Sequence, residues 1–261
     1  MIKQEAIMRR KIQTGYFDKK ISFIMLSFGK QKQTLEAIKS IKKTVKIPHE
    51  IILFDNGSDP STIEFIKANI EDKFDDTKVI YHHRNLGPAE GRRVALEYAN
   101  GDWFIIFDND EVAEQGWIEE LLIRGLSDPQ IGAVTCKVIF PNRRLQCCGG
   151  TVTRIEEDLV KLDLIGSGMD AYDLITAAFT ECDWCPIGAT LFTINPSRFL
   201  HSGYPNVFED AGVSMALRKL GYRLINSPAS WVWHNHMLFE KDIDMGDRYK
   251  VAALKLSKTY A

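Results

Sequence analysis

The chain has 261 residues, 45% of them hydrophobic, and 33 Lys and Arg against 35 Asp and Glu give a formal charge of −2. That length serves one large domain or two small ones, and the composition can fill a soluble core. The charge balance lacks the basic footprint of a nucleic-acid binder, and no apolar run approaches the roughly 18 residues of a membrane span.

Residues 1–20 are basic but hold no apolar stretch, so they read as a tail or a leading helix and not as a secretory signal. Ile21–Ser27 is the first strong strand. Gln31–Lys43 follows as an amphipathic helix with Leu35, Ile38 and Ile41 on one side. His49–Asp55 is a second strand, and Asn56-Gly57-Ser58-Asp59-Pro60 is a cluster of turn formers in which Ser58 or Asp59 can cap the helix carrying Ile63, Ile66 and Ile70. Lys78–His82 is a third strand. Asn85-Leu86-Gly87-Pro88 turns into a helix from Ala89 to Asn100, stopped by Gly101, and Phe104–Phe107 is a fourth, buried strand. Strands alternating with helical patterns argue for a parallel, doubly wound α/β sheet over the first hundred or so residues.

The second half is less regular. Trp117–Leu126 and Glu209–Leu220 read as helices. Gly132–Phe140, Thr190–Ile194, Tyr222–Ile225 and Ser230–Trp233 read as strands, the last two separated by Pro228. Between them, residues 141–185 are rich in Gly, Asp and Arg and are expected to form a partly antiparallel, acceptor-facing region. A final helix is expected over Tyr249–Tyr260.

The chemistry concentrates at Asp108-Asn109-Asp110, two carboxylates at the end of the fourth strand. Ligands of open α/β sheets bind beyond the carboxyl ends of the strands, where Asp55, Asn85 and Asp108 all fall. Hard divalent cations favour oxygen ligands and can share them with a phosphate-bearing substrate. An isolated D-x-D is equally a polar turn. Cys147-Cys148 and Cys182-x-x-Cys185 supply four thiols, but the adjacent pair suits tetrahedral zinc poorly, so free or buried thiols are the expectation. Five cysteines, an odd number, fit a reducing, cytosolic location.

Three blocks together resemble the family 2 glycosyltransferases. They are Ile52–Asp59 (ILFDNGSD), Asn85-Leu86-Gly87 through Gly91-Arg92-Arg93 into Asp108-Asn109-Asp110, and Gly188, Gly203-Tyr204, Glu209-Asp210, Leu217–Tyr222 and His234. The resemblance spans about Ile21–His236. It implies a GT-A fold over 21–236, with a nucleotide-sugar half (21–110) and an acceptor half (111–236), flanked by residues 1–20 and a helical tail, 237–261. It also implies a metal-dependent, inverting transfer of sugar from a nucleotide-diphosphate donor, commonly a UDP-sugar, to a hydroxyl.

By the same resemblance Asp108, Asp110 and His234, with His236 as fallback, would hold Mn²⁺ or Mg²⁺. Ser27, Asp55, Asn85, Gly87, Arg92, Asp108, Asn109, Trp184 and Gly188 would face the nucleotide-sugar, Arg92 either touching a phosphate or buttressing the D-N-D loop. Asp210 would be the general base, with Glu209 its understudy; otherwise the two acids only favour a helix N-terminus. Trp184 is equally a core residue. Lys30 stands in an unusual first loop, reaching a phosphate or simply solvated. Arg93 and Ala95 depart from the family pattern. The acceptor, whether glycan, lipid-linked sugar, protein or small molecule, is not legible, and a peripheral contact with the cytoplasmic membrane face stays open. Two other readings compete: a nucleotidyltransferase, against which no Gly-rich basic loop follows the first strand, and a catalytically silent nucleotide-sugar or glycan binder.

Overall fold

The computed structural model describes residues 2–13, 17–156, 159–200 and 208–235. Gly203-Tyr204, His236 and the tail with its expected helix lie outside the described residues. The N-terminal segment is a helix, α1 (Ile2–Gln13). Then follow β1 (Ile21–Ser27), α2 (Gln31–Thr44), β2 (His49–Asn56), α3 (Pro60–Asn69), β3 (Thr77–His82), α4 (Pro88–Leu96) and β4 (Trp103–Ile106). The second half holds β5 (Glu111–Ala113), α5 (Trp117–Leu126), β6 (Ile131–Ile139), β7 (Leu145–Cys147), β8 (Gly150–Glu156), β9 (Leu159–Leu164), β10 (Thr190–Phe192), α6 (Glu209–Lys219) and β11 (Arg223–His234), with short 3₁₀ turns at Leu174–Ala178 and Pro196–Phe199.

The main sheet runs β3-β2-β1-β4-β10-β6-β11-β5, with β7 on β6, and β8–β9 form a separate hairpin. β3, β2, β1 and β4 are parallel, as the alternating pattern predicted. β10 enters antiparallel to both β4 and β6, so the sheet is mixed beyond its first half. The period-two alternation of β1 divides the core: Ile21, Phe23 and Met25 face α2, α5 and α1, while Ile24 joins Phe54, Leu96, Phe192 and Leu217 on the α4–α6 side. Asp59 caps α3 through the backbone N–H groups of Ser61 and Thr62, with Pro60 at the first turn.

Two expectations are corrected, and one strand was not anticipated. α4 ends at Leu96, short of Asn100: the N–H groups of Glu97, Tyr98 and Ala99 tighten to bonds three residues back, on Val94, Ala95 and Leu96, after which Asn100 N donates to Glu50 Oε1 at 2.6 Å and Gly101 N to Ser22 Oγ at 2.8 Å. The segments either side of Pro228 form one strand, β11, whose pairing with β6 slips between Ser227 and Trp231. Proline cannot donate to a ladder, so the strand bulges past it and resumes. β5 has no sequence signal of its own. It exists because Val112 and Ala113 pair with Trp233 and Val232, some 120 residues along. Among the described residues no helix is long and apolar enough to cross a membrane.

Trp117 anchors the β1–α5 core, 1% exposed, beside Phe23 and Phe107 and donating to Thr44 Oγ1 at 3.2 Å. Trp117→Ala leaves a cavity there, and urea denaturation should show a loss of about 3–5 kcal/mol.

Candidate active site

The site lies along the carboxyl ends of β1, β2 and β4 and the end of β11. Phe107 continues β4 beside β1, its N–H donating to Ile24 O at 3.0 Å, and the chain then turns through Asp108–Asp110. The turn is held from four directions. Glu111 N donates to Asp108 O at 3.1 Å, Glu111 Oε2 accepts from Asp108 N at 3.0 Å, Asn109 Nδ2 donates to Thr34 Oγ1 on α2 at 3.0 Å, and Asn235 N donates to Asp110 O at 3.0 Å. Gly188 lies against the same turn, where a Cβ would come within 2.6 Å of Glu111 Oε1 and 2.8 Å of Asp108 Oδ2. No larger residue fits without moving the carboxylates.

Asp110 is 7% exposed and sits between two basic groups, with Lys30 Nζ 2.9 Å from Oδ2 and His234 Nε2 3.1 Å from Oδ1. His234 is oriented from behind by Gln146 Oε1, 2.7 Å from Nδ1, and by Phe140 stacked on its ring. Burial pushes the Asp110 carboxyl up, but His234 and Lys30 outweigh it and hold the group well below the usual carboxylate range. Glu111, 1% exposed, goes the other way: burial raises it well above the usual range, and the charge of Asp108 adds to this.

Arg92 on α4 is buried and forked. Nη2 donates to Asp108 Oδ1 at 2.7 Å and Nη1 to Glu209 Oε1 at 2.7 Å. It thus ties the D-N-D turn to the first turn of α6. Glu209 is 8% exposed and turned to Arg92, whereas the neighbouring Asp210 keeps part of its surface open and accepts from the N–H of Ala211 at 2.7 Å. Burial, reinforced by the charge of Glu209 and only partly offset by Ala211 N–H and Arg92, pushes Asp210 up to about 7.

On the β2 side Asp55 is fully buried. Its Oδ2 accepts from Ser58 N at 3.2 Å while Oδ1 has no hydrogen-bond partner. A buried orphan oxygen at a strand's carboxyl end awaits a donor. Asn85 and Gly87 shape the loop into α4: Asn85 Oδ1 accepts from Asn56 Nδ2 at 3.0 Å and from Gly87 N at 2.7 Å, and Gly87 takes φ 79°. Ser27 Oγ reaches Gly29 O and Thr34 Oγ1, each at 3.3 Å.

Of the expected site residues, Asp108, Arg92 and Glu209 form one ion-paired group and Asp110 and His234 another, the two joined through the backbone of the D-N-D turn, with Asp210 next to Glu209. Arg92 buttresses the D-N-D turn. Lys30 pairs with Asp110, which corrects the solvated reading. Asn109 is turned toward α2. Trp184 is core: 6% exposed, it packs with Val160, Ala211 and Met215, so it backs α6 and does not line an open pocket. No group of three His, Cys, Asp or Glu residues converges on a metal-sized point among the described residues, which removes the zinc reading of the cysteines. Glu111 and Gln146 were not anticipated; the only signal for Glu111 was a third acid directly after the D-x-D.

Residues 22–143 match the family model described as glycosyl transferase family 2. An uncharacterized glycosyltransferase of Haemophilus influenzae is 38% identical over 28% of this chain and 29% of its own length, and the O-antigen biosynthesis protein RfbC of Myxococcus xanthus is 29% identical over 44% of this chain and 9% of its own; the chain spans under a third of the length of either. Among solved structures, GalNAc-T7 with UDP, GalNAc and Mn²⁺ superposes with a TM-score of 0.65 at 16% identity, covering 84% of this chain and 44% of that one. The mannosyltransferase PcManGT from Pyrobaculum calidifontis with GDP-Man and Mn²⁺ gives 0.62 at 14% identity, covering 99% and 81%. The fold is the GT-A fold of nucleotide-sugar glycosyltransferases. Over residues 22–143 the match to that family model, together with the glycosyltransferases among the curated relatives, supports a family 2 glycosyltransferase.

The Arg92 fork yields a direct test. Arg92→Met leaves the buried Glu209 and the part-buried Asp108 carboxylates without their cation and should cost about 3–5 kcal/mol in chemical denaturation. Glu209→Gln added to Arg92→Met should recover part of that loss, and additive effects in the double-mutant cycle would deny the coupling.

Proposed function

We propose that this chain transfers a sugar from a nucleotide-diphosphate donor, a UDP-sugar in the first instance, to a hydroxyl acceptor with inversion, and that Asp210 is the general base. The observation that carries this reading is the joining of Asp210's helix to the D-N-D turn through Glu209, Arg92 and Asp108, which sets a carboxylate tuned to about 7 at fixed distance from a diphosphate-type site. A base of that strength is matched to neutral pH. The orphan Oδ1 of Asp55 suits a nucleobase N–H or ribose hydroxyl.

By chemistry the residues suit a divalent cation: Asp110 Oδ1 and His234 Nε2 lie 3.1 Å apart, and Asp108, on the same turn, is a third donor of the oxygen type that Mn²⁺ or Mg²⁺ takes, although the three do not converge on one point in this structure. When bound, such an ion supplies Lewis-acid neutralisation of the leaving diphosphate. Both structural neighbours described above hold Mn²⁺, one with UDP and one with GDP-Man, which supports the metal and leaves the base of the nucleotide to experiment. For its part the protein orients the donor, holds Asp110 well below the usual carboxylate range through His234 and Lys30, and presents Asp210 to take the acceptor's hydroxyl proton.

Asp210→Asn should abolish transfer while donor binding is kept; transfer at near wild-type rate would remove Asp210 as base. With the wild type, kcat should rise with pH and level off above about 7, because the base works only when deprotonated. A thermal-shift panel of UDP, GDP, dTDP, CDP and ATP, each with and without Mn²⁺, names the donor. A ligand at a hundred times its Kd adds about 2.7 kcal/mol of apparent stability. The expected result is a Mn²⁺-dependent shift with UDP that Asp110→Ala removes. A shift with ATP alone would transfer the assignment to a nucleotidyltransferase.

A further inference from the structure

We infer that Cys182 and Cys185 form a dithiol site that exchanges with low-molecular-weight disulfides and closes to an intramolecular disulfide behind α6. This is independent of the transfer reading. The pair is a C-x-x-C whose Sγ atoms lie 3.7 Å apart, and the two thiols differ in access. Cys182 is partly exposed and lines a cavity of about 270 Å³ with Thr151, Arg218 and Tyr222, whereas Cys185 is buried, 2% exposed. One reachable sulfur with a sheltered second sulfur in contact is the arrangement of an attacking and a resolving cysteine.

The exchange balances without any further reagent. The Cys182 thiolate attacks one sulfur of a disulfide R–S–S–R, forming Cys182–S–S–R and expelling R–S⁻. Cys185 attacks the Cys182 sulfur, its proton passing to the departing sulfur, and the second R–SH is released. Two protein thiols are oxidised and one disulfide is reduced to two thiols. Because Cys185 is sheltered, the second step is intramolecular and the mixed disulfide is short-lived in the intact pair.

The pair is wired to the helix that carries Asp210. Cys185 N donates to Ser214 Oγ at 2.9 Å, Trp184 between the cysteines packs on Ala211 and Met215, and Asp183 Oδ1 pairs with Arg218 Nη1 at 2.8 Å. Asp183 also accepts from Val152 N at 2.9 Å, so this four-residue loop bridges the β8–β9 hairpin to α6. Drawing the two sulfurs together therefore pulls on contacts along α6. The other cysteines offer no competing reactive site: Cys136, Cys147 and Cys148 are all buried at 1% exposure or less.

The test is peptide mass mapping of the folded, full-length chain after incubation with glutathione disulfide and alkylation of the remaining thiols. In the wild type the peptide holding both cysteines should lose two hydrogens, resist alkylation and recover both thiols on addition of dithiothreitol. Cys185→Ser should accumulate one glutathionyl group on Cys182, and Cys182→Ser should acquire neither. Retention of two alkylatable thiols at Cys182 and Cys185 in the wild type would overturn the proposal, as would a bridge from Cys182 to Cys148. The wild-type result stands even if a serine variant fails to fold. Transfer or donor binding lost on oxidation and regained with dithiothreitol would show the strain on α6 reaching the site; the disulfide itself is read without any activity assay.

Discussion

The site depends on one buried guanidinium. Arg92 has left water at a cost that only well-placed anions offset, and it is offset twice, by Asp108 and by Glu209. The fork makes two distant parts of the chain one object, since Arg92 and Glu209 lie 117 residues apart. Arginine suits this position because its planar fork holds two partners in fixed directions, which a lysine ammonium cannot do.

The local charge balance shows what such a cluster needs. Asp108, Asp110, Glu111, Glu209 and Asp210 bring five carboxyls to the network, against the fixed positive charges of Arg92 and Lys30. Alone, the chain answers the surplus by raising Glu111 and Asp210 toward their neutral forms. A divalent cation at Asp108 and Asp110 would offset the surplus from the opposite side. The same excess of negative charge that destabilises the cluster by itself thus favours a metal-diphosphate ligand.

Backbone geometry marks the same place. Non-glycine residues with positive φ include Lys30 (51°), Ala189 (50°) and Phe208 (63°), which pair with Asp110, follow Gly188 and precede Glu209. An L-residue in this region costs of order 1–3 kcal/mol and persists only where surrounding contacts over-determine it. None of the three can be read from sequence, because Lys, Ala and Phe carry no turn signal; glycines 57 and 87, at comparable angles, were legible as turn residues.

That contrast explains how much of the fold and site the sequence disclosed. The first half is built from adjacent strand–helix units, so local periodicity and caps at Asp59 and Pro60 carry the information, and Asp55, Arg92, Asp108 and Asp110 fall where strand ends and a helix predict. The second half is built from pairings of distant segments. β5 is a strand only because β11 returns beside it, and β11 bulges at Pro228 to do so. Trp184 looked as fit for a pocket as for a core until the β8–β9 hairpin and α6 enclosed it. Lys30 looked solvated because its partner is 80 residues away. The long-range contacts that hid these roles are also what bring groups from the two halves of the chain into register. A single α6 displaced by about one turn, 5.4 Å, would break the Arg92–Glu209 pair and carry Asp210 away from the D-N-D turn together, so Asp210 cannot drift without releasing Arg92 from Glu209.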